Sequence, residues 1–158
     1  MNPSYVLFLA FLIGVIAGLR TMTAPAVVAW AANRHWLNLH SAPLALMGST
    51  AAVAVFTVLA LGELVIDKLP STPNRTRLVG LIGRGVLGGL SGASVAASGA
   101  QSIALGAVLG VAGAIAGAFA GYEVRTCLVR ALKVPDLVIA LLEDAVAIAG
   151  GLLIVSRF

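Results

Sequence analysis

Long apolar runs alternate with short polar connections along the chain and divide it into five hydrophobic segments. They cover about residues 5–32, 43–69, 78–98, 102–128 and 137–155. A helix needs roughly 20 residues to cross a bilayer, and each segment reaches about that length. The pattern predicts an all-α fold: a polytopic transmembrane helical bundle of about five spans, forming a single transmembrane domain over residues 1–158.

The first segment is interrupted at residues 18–25, which read Gly-Leu-Arg-Thr-Met-Thr-Ala-Pro. Pro25 has no amide hydrogen and disfavours the helical conformation at Ala24. The sequence therefore predicts that the first helix is broken near Arg20 to Pro25. This break places Arg20 near the middle of the membrane.

The composition agrees with a membrane protein, because 60% of the 158 residues are hydrophobic and only 10% are charged. A soluble domain carries about 25% charged residues. The formal net charge is +4, but the bases lie in short connections without an aromatic surface between them. The lipid bilayer is therefore the predicted partner, and nucleic acid is not. Cys127 is the single cysteine, which excludes an intramolecular disulfide and a cysteine metal cluster.

Glycines recur along one face of the fourth segment, and small residues let helices approach closely within a bilayer. The strip consists of Gly106, Gly110, Gly113, Gly117 and Gly121. It is predicted to contact a neighbouring helix or a second subunit. Because so small a chain has little interior, we expect a homodimer or another homo-oligomer built on this face.

Lysine and arginine counts in the short connections set the predicted orientation. With five spans, the N-terminus shares a side with the connections at 70–77 and 129–136, and the other side has only Arg34 and Arg157. The first side collects Lys68, Arg75, Arg77, Arg130 and Lys133. The positive-inside rule then predicts a multi-pass protein of the cell (inner) membrane with a cytoplasmic N-terminus and an external C-terminus.

A weak internal repeat links the first and fourth segments, which carry Gly, Arg and Thr at 18–21 and at 121–126. Each group precedes a segment with two acids. In the orientation above the two groups run in opposite directions, which is typical of inverted-repeat transporters. The alternative is a coincidence in a glycine-rich chain.

Charged side chains inside the segments carry the candidate chemistry, because a charge in hydrocarbon costs about 2.5–3.5 kcal/mol or more. They are Arg20, Glu63, Asp67, Arg84, Arg125, Glu143 and Asp144. Glu63 and Asp67 are four residues apart and share a helix face, where they repel unless a proton, cation or arginine intervenes. Glu143 and Asp144 point about 100° apart.

Two of the three arginines, Arg84 and Arg125, are the predicted counterions of the acids. Arg84 and Arg125 lie on spans that neighbour the acids, and Arg20 is placed to meet an anion together with Thr21, Thr23 and exposed backbone amides. The alternative is that these charges form structural salt bridges or extend to the interface. His35 and His40 lie in a loop, solvated or weakly metal-binding.

The preferred hypothesis is a small transporter or channel-like protein that moves an ion or small solute. Its predicted pathway consists of Arg20, Thr21, Thr23, Glu63, Asp67, Arg125, Glu143 and Asp144. Motifs for nucleophilic, phosphate-binding or zinc catalysis are missing from the sequence, so no catalytic residue, cofactor or metal is predicted. The alternatives are an intramembrane enzyme acting on lipid or isoprenoid headgroups and a structural membrane subunit.

Three motifs carry a resemblance to a known family. They are Gly18-Leu19-Arg20, the Glu-x-x-x-Asp-Lys-Leu-Pro element at 63–70, and Glu143-Asp144. Over nearly its whole length the chain resembles the family filed as domain of unknown function 4126. The resemblance implies a small multispanning bacterial membrane protein and brings no established substrate.

Overall fold

The computed structural model describes residues 1–39, 44–67 and 78–158, and all the regular secondary structure in this part of the chain is helical. The helices are α1 (Pro3–Leu19), α2 (Thr23–Asn33), α3 (Thr50–Ile66), α4 (Leu78–Ser98), α5 (Ile103–Leu132) and α6 (Asp136–Val155), with a short 3-10 helix at Leu44–Gly48. The predicted all-α bundle is confirmed. His40, the predicted limits of the second segment at 43 and 69, and the bases Lys68, Arg75 and Arg77 lie outside the described residues.

Local capping explains where several helices begin and end. The side chain of Ser49 accepts a hydrogen bond from the amide of Ala52, so α3 begins at Thr50 rather than near residue 43. α5 extends four residues beyond the predicted limit of 128 and ends where Lys133 adopts a left-handed backbone with φ 51°. Pro135 then disfavours helix at the residue before it, which separates α5 from α6.

Within the described part of the chain, three helices, α4, α5 and α6, are long and apolar enough to cross a bilayer. α1 and α3 are apolar as well, but each has only 17 residues. These lengths and compositions indicate a membrane protein.

The predicted break in the first segment is confirmed, since α1 ends at Leu19 and α2 begins at Thr23. However, α2 does not continue in the direction of α1. Near the start of α1, a Cβ added to Gly99 would lie 2.5 Å from Val6. Just after α2, the amide of Asn38 donates to the hydroxyl of Ser98 over 3.0 Å. Both outer ends of this helix pair therefore meet the end of α4, and the first segment is a helical hairpin instead of one kinked span.

The hairpin changes the direction of every later element relative to the N-terminus. α5 runs parallel to α1, since Gly110 packs on Gly14 and Gly121 on Leu19. The prediction that the two Gly-Arg-Thr groups run in opposite directions is therefore wrong. The expectation had counted the first segment as a single crossing, and the turn at its centre adds one reversal.

The two ends of the bundle differ in what they carry. The terminal end holds the N-terminus, residues 34–39, the α4–α5 turn and, because α6 runs antiparallel to α5, the C-terminus. The basic end holds the α5–α6 connection with Arg130 and Lys133, and the start of α4. The predicted placement of the two termini at opposite ends is wrong for the same reason, and the N-terminus does not share an end with the basic α5–α6 connection.

The glycine strip of α5 forms the centre of the bundle. A Cβ on Gly106 or Gly110 would lie within 3 Å of the α4 backbone, and one on Gly113 or Gly117 would come as close to the backbone of α1. Gly121 packs against the side chain of Leu19. Neighbouring helices of the same chain therefore cover the strip, so the predicted homo-oligomer would need another surface.

Candidate functional site

Arg20 occupies the tip of the α1–α2 hairpin, and its side chain is completely buried. Its Nη1 donates to Oδ2 of Asp67, which caps the C-terminus of α3. Its Nη2 lies 2.5 Å from Oδ1 of Asp144 in α6. Two carboxylates from helices far apart in the sequence thus hold one guanidinium, which is the arrangement that a charge in a low-dielectric interior needs.

Glu63 binds the backbone at the same hairpin tip. One of its carboxylate oxygens accepts the amide of Thr21 at 2.7 Å, and the other accepts the amide of Met22 at 2.8 Å. These amides open α2, whose N-cap residue Met22 makes no side-chain capping bond. A carboxylate there satisfies donors that the helix leaves free and faces the positive end of its dipole.

Glu63 and Asp67, on one face of α3, therefore both bind the tip of the α1–α2 hairpin. Asp67 takes the guanidinium of Arg20, and Glu63, one turn earlier, takes the amides beside it. An arginine neutralises Asp67, which is one of the three solutions that the sequence left open, whereas backbone amides hold Glu63. The anion that meets the exposed amides is a side chain of the protein itself.

Arg125 forms a second cluster nearer the basic end. Its Nε donates to Oδ1 of Asp136 at 2.8 Å, its Nη2 donates to the other oxygen, and its Nη1 lies 3.6 Å from Oε2 of Glu143. The side chain of Glu143 is 9% exposed, whereas that of Asp136 is 61% exposed. Glu143 and Asp144 diverge as predicted, since each meets a different arginine.

Asp136 was not among the predicted site residues. Its place in the first turn of α6, directly after Pro135, was the available signal, because acids are common there. Its distance to Arg125 depends on the α5–α6 turn, which the sequence did not define.

The remaining predicted residues border these two clusters. Thr23 is buried in the first turn of α2, and Thr21 contributes its backbone amide. Arg84 is buried in α4, one turn from Gly88, which packs on Ala17 near the hairpin tip.

The Arg20 cluster lies inside the bundle rather than at its surface. Asp144 is the ninth residue of α6, which puts it about 12 Å along the helix axis from the basic end. His35, by contrast, is exposed at the terminal end. Among the residues that the structure describes, no three His, Cys, Asp or Glu side chains are grouped to hold a metal ion.

Fold and site together define a helical membrane protein with a buried ion-pair cluster at the tip of a helical hairpin. The chain belongs to the family described as "Domain of unknown function (DUF4126)", whose model matches residues 7–156. The resemblance inferred from the motifs is thereby confirmed. Neither the curated proteins nor the solved structures contain a significant match.

Proposed function

We propose that this protein is a small transporter or channel-like protein that moves an ion or small solute through its buried charged pathway. The pathway consists of Arg20, Thr21, Thr23, Glu63, Asp67, Arg125, Glu143 and Asp144. The observation that carries the proposal is the completely buried guanidinium of Arg20, shared between Asp67 and Asp144.

Stability alone is a poor reason to keep such a cluster. Buried ion pairs can often be replaced by well-packed apolar residues without loss of stability, whereas ionisable residues inside membranes characteristically line ion pathways and proton relays. A helix interrupted beside the charged site is also a recurrent feature of secondary transporters. The ion pairs of Arg20 and the hydrogen bonds of Glu63 are non-covalent, so a solute can replace them reversibly.

The experiment compares ion flux into proteoliposomes for the wild type, Glu63→Gln and Arg20→Ala. Separate gradients of H⁺, K⁺ and Cl⁻ are imposed, with an internal pH dye or ion-selective readout for each. Glu123→Gln and Arg130→Ala are the matched controls, because both residues are exposed on α5. We expect flux in the wild type and both controls, and loss of flux in Glu63→Gln and Arg20→Ala.

Two results would contradict the proposal. Equal flux in all five proteins, above that of protein-free vesicles, would reject the assigned pathway. Wild-type flux no higher than that of protein-free vesicles for each of the three ions, with the helical fold intact by circular dichroism, would reject ion conduction.

A second candidate is an intramembrane enzyme acting on lipid or isoprenoid headgroups. An apolar groove between α5 and α6, with Arg125 and Glu143 in its wall, favours it because such a groove admits a lipid from the side. Conversion of a lipid headgroup by the purified wild type, lost in Glu143→Gln, would support this candidate over transport.

A further inference from the structure

A groove of about 350 Å³ runs between α5 and α6, with α1 as its floor. Its volume lies within the range of roughly 300–1,000 Å³ that is usual for small-molecule sites. The apolar side chains that line it include Val15, Leu19, Val124, Leu128, Leu142 and Val146. Because α5 and α6 are both candidate spans, the groove lies along the part of the bundle that faces hydrocarbon.

The rim of the groove is also apolar and open. Val124 is 55% exposed, Leu142 57% and Val146 60%. An acyl chain inserted between them would keep apolar contacts on both sides, whereas water there would find few polar partners. Hydrocarbon is therefore the occupant that this part of the groove fits.

One end of the groove is charged, and these charges select which lipid headgroup can bind there. Arg125 and Glu143 lie in its wall, and Arg125 is paired with Asp136 at the start of α6. Asp136 is well exposed, and the N-terminus of α6 carries no side-chain capping bond. Helix N-termini and arginine both favour phosphate oxygens.

The neighbouring carboxylates decide between headgroups. A purely anionic headgroup would approach Arg125 while facing Asp136 and Glu143, which repel it. A zwitterionic headgroup carries a phosphate and a cation side by side, so it can exchange with the Arg125–Asp136 pair without leaving a charge uncompensated. A primary ammonium also donates hydrogen bonds to a carboxylate, which a trimethylammonium does not.

We propose that this groove binds one acyl chain of a glycerophospholipid with a primary-ammonium headgroup, whose phosphate contacts Arg125 and whose ammonium contacts Asp136. This site shares Arg125 with the proposed pathway, but its test measures lipid binding and requires no ion flux.

The test is native mass spectrometry of the delipidated protein, titrated with phosphatidylethanolamine, phosphatidylcholine and phosphatidylglycerol of identical acyl chains. We expect one phosphatidylethanolamine per chain, held roughly tenfold more tightly than phosphatidylcholine, which is the effect of losing a charge-assisted hydrogen bond. Asp136→Asn should remove this preference while retaining phosphatidylcholine binding. Its side chain is well exposed, so the variant should fold normally.

Filling the groove gives a second, independent readout. Ala120→Phe should abolish the tightly held lipid, because Ala120 lines the groove. Ala116→Phe is the matched control, an exposed alanine one turn earlier on the same helix and outside the groove lining.

Several outcomes would overturn the proposal. They are equal retention of all three lipids, a preference for phosphatidylglycerol, unchanged preference in Asp136→Asn, and a chain dimer that Ala120→Phe but not Ala116→Phe dissociates.

Discussion

Removing one carboxylate from the Arg20 cluster tests whether it is a real low-dielectric ion-pair network. Asp144→Asn keeps the size of the side chain and removes its charge, so that of the two carboxylates described at Arg20 only Asp67 remains charged. Breaking a buried pair from one side typically costs about 3–5 kcal/mol. Because Asp67 continues to hold the guanidinium, we expect the lower value, about 3 kcal/mol. For a chain of this length, that corresponds to a fall in melting temperature of roughly 6–12 °C.

The matched control is Asp136→Asn, an identical change on the same helix. Asp136 also pairs with an arginine, but its side chain is 61% exposed, compared with 8% for Asp144. Exposed pairs contribute about 0–1 kcal/mol, so the control should lie within that range. Both variants are followed by reversible unfolding in mixed detergent micelles. If Asp144→Asn is no more destabilising than Asp136→Asn, Asp144 does not bind a buried guanidinium.

Glycine substitutions should separate packed positions from open ones. Gly117→Ala places a Cβ within 3 Å of the Val15 backbone. It should lower the free energy of unfolding in micelles by about 1–3 kcal/mol. At Gly83, no atom of the described residues lies within 4 Å of an added Cβ, so Gly83→Ala should be neutral or gain up to about 1 kcal/mol. Similar losses in both variants would refute the packing. Glu63→Ala should cost about 1–2 kcal/mol and speed amide exchange at Thr21 and Met22; unchanged exchange would refute the cap. The positive-inside rule places the basic end in the cytoplasm and the C-terminus outside. In a bacterial inner membrane, alkaline phosphatase fused to the C-terminus should therefore be active, and alkaline phosphatase inserted in the α5–α6 connection should be inactive. The opposite pattern would place the basic end outside.

The sequence predicted the helical segments and the break at Arg20 because these follow from local properties. Apolar run length defines a span, and Pro25 together with the polar residues Arg20, Thr21 and Thr23 interrupts one. The shared face of Glu63 and Asp67 was equally local, since four residues make about one helical turn. Each of these features depends on residues close together in the chain.

The direction of α2 after the break was not predictable in the same way. α2 lies against α3, where the indole of Trp30 donates to the hydroxyl of Thr57 over 2.9 Å, and against α6, where Val27 contacts Gly151. These contacts join residues 27 or more positions apart, so no local pattern reports them. Counting charges did not distinguish the two arrangements either, because Arg34 and Arg157 lie opposite the basic α5–α6 connection whether the first segment crosses once or turns back.

The hairpin gives the buried charges a second task that a straight span would not impose. A chain that reverses inside the bundle exposes amides at its tip, and in hydrocarbon each unsatisfied amide costs several kcal/mol. Glu63 satisfies two of them, while Asp67 and Asp144 hold the guanidinium at the same turn. A structural role and a transport role therefore require different chemical properties of Glu63. A purely structural Glu63 requires only an acceptor, so Glu63→Gln should retain much of the stability that Glu63→Ala loses. A transport role requires a carboxylate, so Glu63→Gln should lose flux while remaining folded.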